Sequence, residues 1–377
     1  MKKFVLIPDS FKGTMTSVEI CRIMDEEIRK IYPDADIVSI PVADGGEGSV
    51  DAFLSACGGK KIELTVKGPY LEEMTGFYGV LDNGTAVIEM AACAGLPLVE
   101  NNKNPLKTST YGVGQLILHA AESGCKKIIV GLGGSCTNDA GTGAAAACGV
   151  RFYNEEGKEF IPTGGTLSEI RKIDVSGFAP ELKDVEIITM CDIDNPLYGP
   201  FGAAHVFGPQ KGADEKMVLI LDEGLRDISE LIKTQLGKDI SVIPGSGAAG
   251  GMGGGMVAFF DSKLQMGIET VLDTVNFNDV AKDADMIFTG EGKIDTQSIR
   301  GKVVIGVARR AKSLGVPVVA VVGDIGDDIE LAYEEGVSGI FSINRVAVDF
   351  KLAKKRSKSD LALTMNNLMR FIKRLNF

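Results

Sequence analysis

The stretch DMIFTGEGKIDTQSIRGK, residues 285–302, decides the architecture of this chain. Residues 285–288 read as a short strand, and the rest is a glycine-hinged loop that carries Glu291, Lys293, Asp295, Arg300 and Lys302. A helical pattern follows from about Lys302 to Leu314, and VPVVAVV at 316–322 is a second strand that ends in Gly323 and Asp324. Strand, loop, helix, strand is a β-α-β unit. Its crossover makes the two strands parallel and puts the charged loop at a strand's C-terminal end, where open α/β sheets bind ligands.

The N-terminus repeats this grammar. Residues 3–8 read as a strand, 9–15 as a loop, 17–32 as a helix with apolar residues at 20, 23, 24, 28 and 31, and 36–42 as another strand. Thr16 or Ser17 can cap that helix. A terminal helix through 361–375 completes a doubly wound parallel-sheet domain built from 1–60 and 285–377. The middle, 61–284, is different. It alternates like antiparallel strands at 61–67 and 76–90, then turns to glycine-rich loops and an acidic helical stretch at 214–235, and it reads as a second α/β domain inserted into the first.

With 377 residues, 45% of them hydrophobic, the chain is long enough for two cores. The net charge of −11 disfavours nucleic acid and anionic membrane surfaces, and the one basic run, KLAKKRSK at 351–358, reads as a solvated helix face. No segment reaches the ~18 uninterrupted apolar residues that a membrane span requires. Seven scattered cysteines in mostly apolar settings fit reduced thiols, hence a cytoplasmic protein without a disulfide framework.

Five loops share a palette of Asp/Glu, Lys, Ser/Thr and Gly. They are DSFKGT at 9–14, ADGGEG at 43–48, GLGGSCTND at 131–139, CDIDNP at 191–196 and the opening loop at 289–302. Each follows a hydrophobic strand. Glycine amides, hydroxyls and lysines suit anions there while carboxylates suit a hard cation, and this combination points to phosphoryl transfer onto a small acceptor. Motifs of other phosphotransferases are missing, because every Gly-Lys pair is followed by something other than Ser or Thr, which excludes a Walker A loop. GSGAAG at 245–250, after a short strand expected at 241–243, matches G-x-G-x-x-G but runs into GMGGG rather than an ordinary helix start. His119 and His205 are the only histidines, which excludes a protein-kinase H-R-D loop and an H-E-x-x-H zinc site, so acid–base work falls to carboxylates and lysines. His205 is expected to be a hydrogen-bonded structural residue.

The segments DSFKGTMTSVE (9–19), PVADGGEG (41–48), GLGGSCTNDAGTG (131–143), DIDNPLYGPFGAAHVFGPQKG (192–212), 244–254 and 289–302 together resemble the class I bacterial glycerate kinases. The resemblance covers nearly the whole chain, in order. It implies ATP and Mg²⁺ as cosubstrates, D-glycerate as acceptor, a phosphoglycerate product with the 2-phosphate favoured, and a flavodoxin-like domain interrupted by a second α/β domain. A kinase of a related small sugar acid and a non-catalytic binder of a small hydroxy acid are the alternatives. The state of assembly is open between monomer and homodimer.

Phosphoryl transfer needs positioning, neutralised charge and a base near the acceptor hydroxyl. Lys12 and Lys293 are expected to neutralise phosphate or the glycerate carboxylate, and Arg300 to fork a carboxylate. Ser10, Asp44 and Glu291 are further expected substrate contacts. The backbone of Gly133, Gly134, Gly247 and Gly250, with the hydroxyls of Ser135 and Thr137, is expected to cradle phosphate oxygens. Asp192 is favoured for the metal, with Asp44 or Glu291 helping. Asp295 is favoured as base, with Asp192 as its rival.

Overall fold

The computed structural model describes residues 1–43, 45–295, 298 and 302–375. Asp44 and Arg300, both expected in the site, lie outside the described residues. In chain order the strands are β1 (Lys3–Pro8), β2 (Asp36–Ser39), β3 (Lys60–Lys67), β4 (Glu73–Val80), β5 (Ala86–Glu89) and β6 (Lys127–Gly131). Then come β7 (Arg151–Tyr153), β8 (Glu159–Phe160), β9 (Lys172–Asp174), β10 (Glu186–Met190) and β11 (Lys263–Gln265). The last are β12 (Met286–Gly290), β13 (Lys293–Ile294), β14 (Val318–Val322), β15 (Asp324–Ile325) and β16 (Val337–Ser342).

The chain forms two compact units, the first made of Met1–Ala43, Ser55–Cys57 and Ile268–Phe377, the second of Asp44–Leu54 and Gly58–Gly267. The first unit holds a parallel sheet of order β16-β14-β12-β1-β2. Counted within the unit this is the doubly wound order 2-1-3-4-5 of flavodoxin-like sheets, with its switch point between β1 and β12. Phe4 stands opposite Met286 and Pro8 opposite Gly290, so the two strands end level. Phe4, Leu6, Phe288, Val319 and Val321 pack one face against the helices Ser17–Ile31 and Phe350–Arg374. The first of these begins with a full capping box, in which the Thr16 side chain accepts from the Glu19 amide and the Glu19 carboxylate accepts from the Thr16 amide. The last helix starts at Phe350, well before 361, and takes the basic run onto a largely exposed face.

The second unit has a six-stranded mixed sheet of order β11-β10-β6-β5-β4-β3. Its first four strands are parallel, while β4 is antiparallel to β5 and β3 to β4. A separate three-stranded antiparallel sheet is formed by β8, β7 and β9. The core joins this framework to the helices Tyr111–Glu122, Thr142–Ala147, Glu215–Leu236 and Ala248–Phe260.

Two expectations need correcting. The units divide near 43 and 267 rather than at 60 and 285, because long-range contacts claim the flanking segments. The Val50 amide donates to the buried Glu89 carboxylate at 3.0 Å, which ties residues 44–54 to the second unit. Arg310 binds Glu269 and Asp273, each at 2.6 Å, which ties the segment after Gly267 to the first. Residues 241–243 are turn rather than strand. All seven cysteines are free thiols, five of them buried. No helix of the described residues is long and apolar enough to cross a membrane.

Candidate active site

In the first unit the loops after β1 and β12 leave the sheet side by side at its switch point. The Asp9 amide donates to the Gly290 carbonyl at 2.8 Å, and the Asp9 carboxylate accepts from the Ser10 amide at 2.6 Å. A turn closed by the Phe11 amide on the Met15 carbonyl, 2.9 Å, projects Lys12 outward, where it is exposed. The second loop is braced from β14 and β15. The amides of Gly323, Asp324 and Gly326 donate to the carbonyls of Glu291, Gly292 and Ile294 at 3.0, 3.0 and 2.8 Å. Gly290 allows this close approach, since a β-carbon there would lie 2.0 Å from the Val321 carbonyl oxygen.

Glu291 is the unusual member of this group. It is 5% exposed and its Oε1 has no hydrogen-bond partner. Burial pushes its carboxyl up to about 7; the Ser298 hydroxyl and the Lys302 ammonium pull the other way, and the nearby charges of Asp9 and Asp295 add to the rise. Ser298, fully buried, receives the Asp295 amide at 3.2 Å and gives its own amide to the Asp295 carbonyl at 2.9 Å, so Asp295 sits on a hydrogen-bonded turn. Lys293 is exposed and Asp295 half-buried. Three expected residues, Glu291, Lys293 and Asp295, thus share one braced loop, and Ser10 and Lys12 lie on its neighbour. Asp9 was missed, although an acidic residue directly after a strand was visible in the sequence.

In the second unit the expected residues gather at the C-terminal ends of the parallel strands. The Gly133 amide donates to the Gly45 carbonyl at 3.0 Å, and the Gly247 amide to the Asn195 carbonyl at 3.1 Å. Neither amide is therefore available to a phosphate, and both glycines serve close packing. A β-carbon on Gly247 would meet the Pro196 carbonyl oxygen at 2.2 Å, and one on Gly250 the Thr137 carbonyl oxygen at 2.1 Å. The carbonyl of Gly134 accepts from Leu96 at 2.8 Å and that of Gly250 from Ala140 at 3.1 Å. The G-x-G-x-x-G match is thus a packing device, with Ala249, Gly250 and Gly251 all at positive φ inside the helical segment. Asp192, exposed, accepts from the Gly267 amide at 2.7 Å.

Ser135 and Thr137 are buried, as are several residues absent from the expectation. Lys211 donates to the Ser135 hydroxyl at 2.9 Å and to the Thr137 carbonyl at 2.7 Å, and burial brings its ammonium down to about 8. Asp139, fully buried, accepts from the amide and hydroxyl of Thr110 at 2.7 and 2.8 Å, and burial outweighs these bonds to raise its carboxyl. The polar side-chain atoms of Thr137, Asn138 and Ser246 are buried without partners. The signal for Lys211 was its place in the GPQKG segment, which composition alone did not single out. His205 is exposed and its side chain makes no hydrogen bond among the described residues, so it is not the structural histidine expected.

A family model described as the glycerate kinase family matches residues 4–373. A glycerate kinase of Halalkalibacterium halodurans is 46% identical over 345 residues, 91% of each chain. A glycerate 2-kinase of Escherichia coli is 44% identical over 343 residues, 90% of each. The crystal structure of a putative glycerate kinase 2 from Salmonella typhimurium LT2 superposes with a TM-score of 0.88 at 38% identity, covering 100% of this chain and 99% of that one. A match that runs almost from end to end, in both sequence and fold, means that the chain belongs to the glycerate kinase family.

Proposed function

We propose that this chain phosphorylates D-glycerate, taking the phosphoryl group from ATP and releasing ADP and 2-phosphoglycerate, in the cytoplasm. The observation that carries this reading is the Glu291 loop: a buried carboxyl with an unpartnered oxygen, set among Asp9, Asp295 and Lys302 at the switch point of a doubly wound sheet. A cluster of like charges around a cation handles protons and anions, and a plain surface turn has no use for it. The 2-position is supported by the likeness to the glycerate 2-kinase of Escherichia coli.

In the reaction the acceptor hydroxyl oxygen bonds to the γ-phosphorus as the bond from that phosphorus to the ADP oxygen breaks, and the hydroxyl proton passes to a carboxylate. Asp295 is assigned this proton, with Asp192 as rival. Lys12, Lys293 and Arg300 offset the charge of phosphate and glycerate carboxylate, and Ser10 orients the acceptor. Gly134, Ser135 and Thr137 line the nucleotide phosphates, while Gly133, Gly247 and Gly250 hold those segments in place by packing. Among the described residues no three acidic, thiol or imidazole groups cluster as a resident metal site. The carboxylates present suit an ion that arrives with the nucleotide, since Mg²⁺ takes one or two carboxylates plus phosphate oxygens. Asp192 and Asp44 of the second unit would hold it, and when bound it neutralises phosphate charge.

A coupled ADP-release assay across a panel of hydroxy acids, with the product position read by phosphorus NMR, tests the reading. Turnover is expected only with D-glycerate, ATP and Mg²⁺ together. Equal turnover without glycerate, or tight glycerate binding with no ADP formed when ATP and Mg²⁺ are both present, would overturn it.

A further inference from the structure

The turn Pro209–Lys211 carries a lysine into the interior of the second unit, where Lys211 is 2% exposed. Buried ammonium groups ordinarily face a carboxylate. Here the two acceptors are neutral, the Ser135 hydroxyl and the Thr137 carbonyl, and Lys211 makes no ion pair among the described residues. The titratable groups that act on it are the Cys136 thiol, itself held protonated by burial, and the Asp139 carboxyl, which already accepts from Thr110, Gly141 and Gly143. Glu72 lies beyond Cys136, and Lys103 packs beside Gly212.

On the loop that Lys211 holds, neutral polar groups are also unmatched. Thr137 Oγ1 and both amide atoms of Asn138 are buried without partners. Gly250 holds its segment against the loop, because a β-carbon there would lie 2.1 Å from the Thr137 carbonyl oxygen and 2.5 Å from Asn138 Cα. One buried cation and the unused Thr137 hydroxyl and Asn138 amide therefore fall on or against residues 135–138. Their chemical complement is an anionic oxygen group.

We propose that Lys211 is a positioning residue of the phosphoryl-transfer site, fixing residues 135–138 through Ser135 and Thr137 and supplying the charge that makes this loop receptive to an anionic group of a substrate. That group is either a phosphoryl group of the nucleotide or the acceptor's carboxylate. The inference rests on the kinase reading above. Because burial brings the ammonium down to about 8, its charge is lost under mildly alkaline conditions, and an anion set nearby favours the charged form. The loss is expected in KM rather than in kcat.

Steady-state ADP release by the full chain, measured from pH 6.5 to 9.5 with ATP and D-glycerate varied in turn, tests this. Wild-type KM for one of the two should rise about tenfold or more above pH 8, and the substrate affected identifies the anionic group. Lys211→Arg keeps a charge that does not titrate and should flatten the rise. Lys211→Met should show the alkaline KM already at pH 7, and calorimetry checks that it is folded; should it not fold, the wild-type and arginine profiles decide. A wild-type KM flat for both substrates, or a rise that persists in Lys211→Arg, would overturn the role of Lys211 while the kinase reading stands. Absence of any glycerate-dependent ADP release by the wild type would remove the kinase reading and this proposal with it.

Discussion

The carbonyl oxygen of Gly45 accepts the amide of Gly133 at 3.0 Å, so the two glycine loops of the second unit are one interlocked structure. A β-carbon on Gly131 would lie 2.3 Å from that same oxygen, and one on Gly133 2.6 Å from Gly46 Cα. Gly131→Ala is therefore expected to push the loops apart, at a cost of about 1–3 kcal/mol in urea unfolding, with a loss of turnover alongside. Wild-type stability and rate in this variant would show that the two loops do not depend on each other.

Lys12 stands exposed on a closed turn beside β1, where it contributes little to folding. Lys12→Ala should leave the melting temperature near that of the wild type while removing ~2–4 kcal/mol of transition-state stabilisation, read from kcat/KM. A variant with normal turnover would take Lys12 out of the site.

Glu291 links stability to pH. Its folded carboxyl, at about 7, lies above the ordinary value of 4.5, so the folded state holds the proton more tightly than the unfolded chain. That contribution is fully present below pH 4.5 and is lost as pH rises through 7, amounting to up to ~3 kcal/mol. Glu291→Gln cannot ionise and should lose less stability than the wild type between pH 5 and 8 in urea titrations. Parallel pH profiles for the two proteins would place the carboxyl's titration elsewhere.

Asp295 and Asp192 are separated by their response to magnesium. Loss of a general base slows chemistry and leaves metal affinity nearly intact, whereas loss of a metal ligand shifts activity to higher metal concentration. Asp295→Asn should lower kcat ~10²-fold or more at an unchanged magnesium requirement, and Asp192→Asn should raise that requirement. Reversed phenotypes would exchange the two roles, and normal behaviour in both variants would exclude both carboxylates from the chemistry.

What could be read along the chain was local. The apolar runs that became β1 and β12, the spacing that made Ser17–Ile31 amphipathic, its Thr16 cap and the charged loop after β12 each depend on neighbours a few residues apart. The parallel doubly wound sheet followed from those elements, because a β-α-β crossover permits little else. Only the tertiary structure decided where the units divide, since contacts such as Val50 to Glu89 and Arg310 to Glu269 join residues about forty positions apart, beyond any local pattern. The same holds for the glycines of 245–250: as a motif they looked like a phosphate cradle, and the approach of Gly250 to Thr137 made them packing residues. The altered proton affinities of Glu291 and Lys211 likewise arise from burial by distant segments, and a lysine or glutamate in a sequence carries no mark of how much water its fold will leave it.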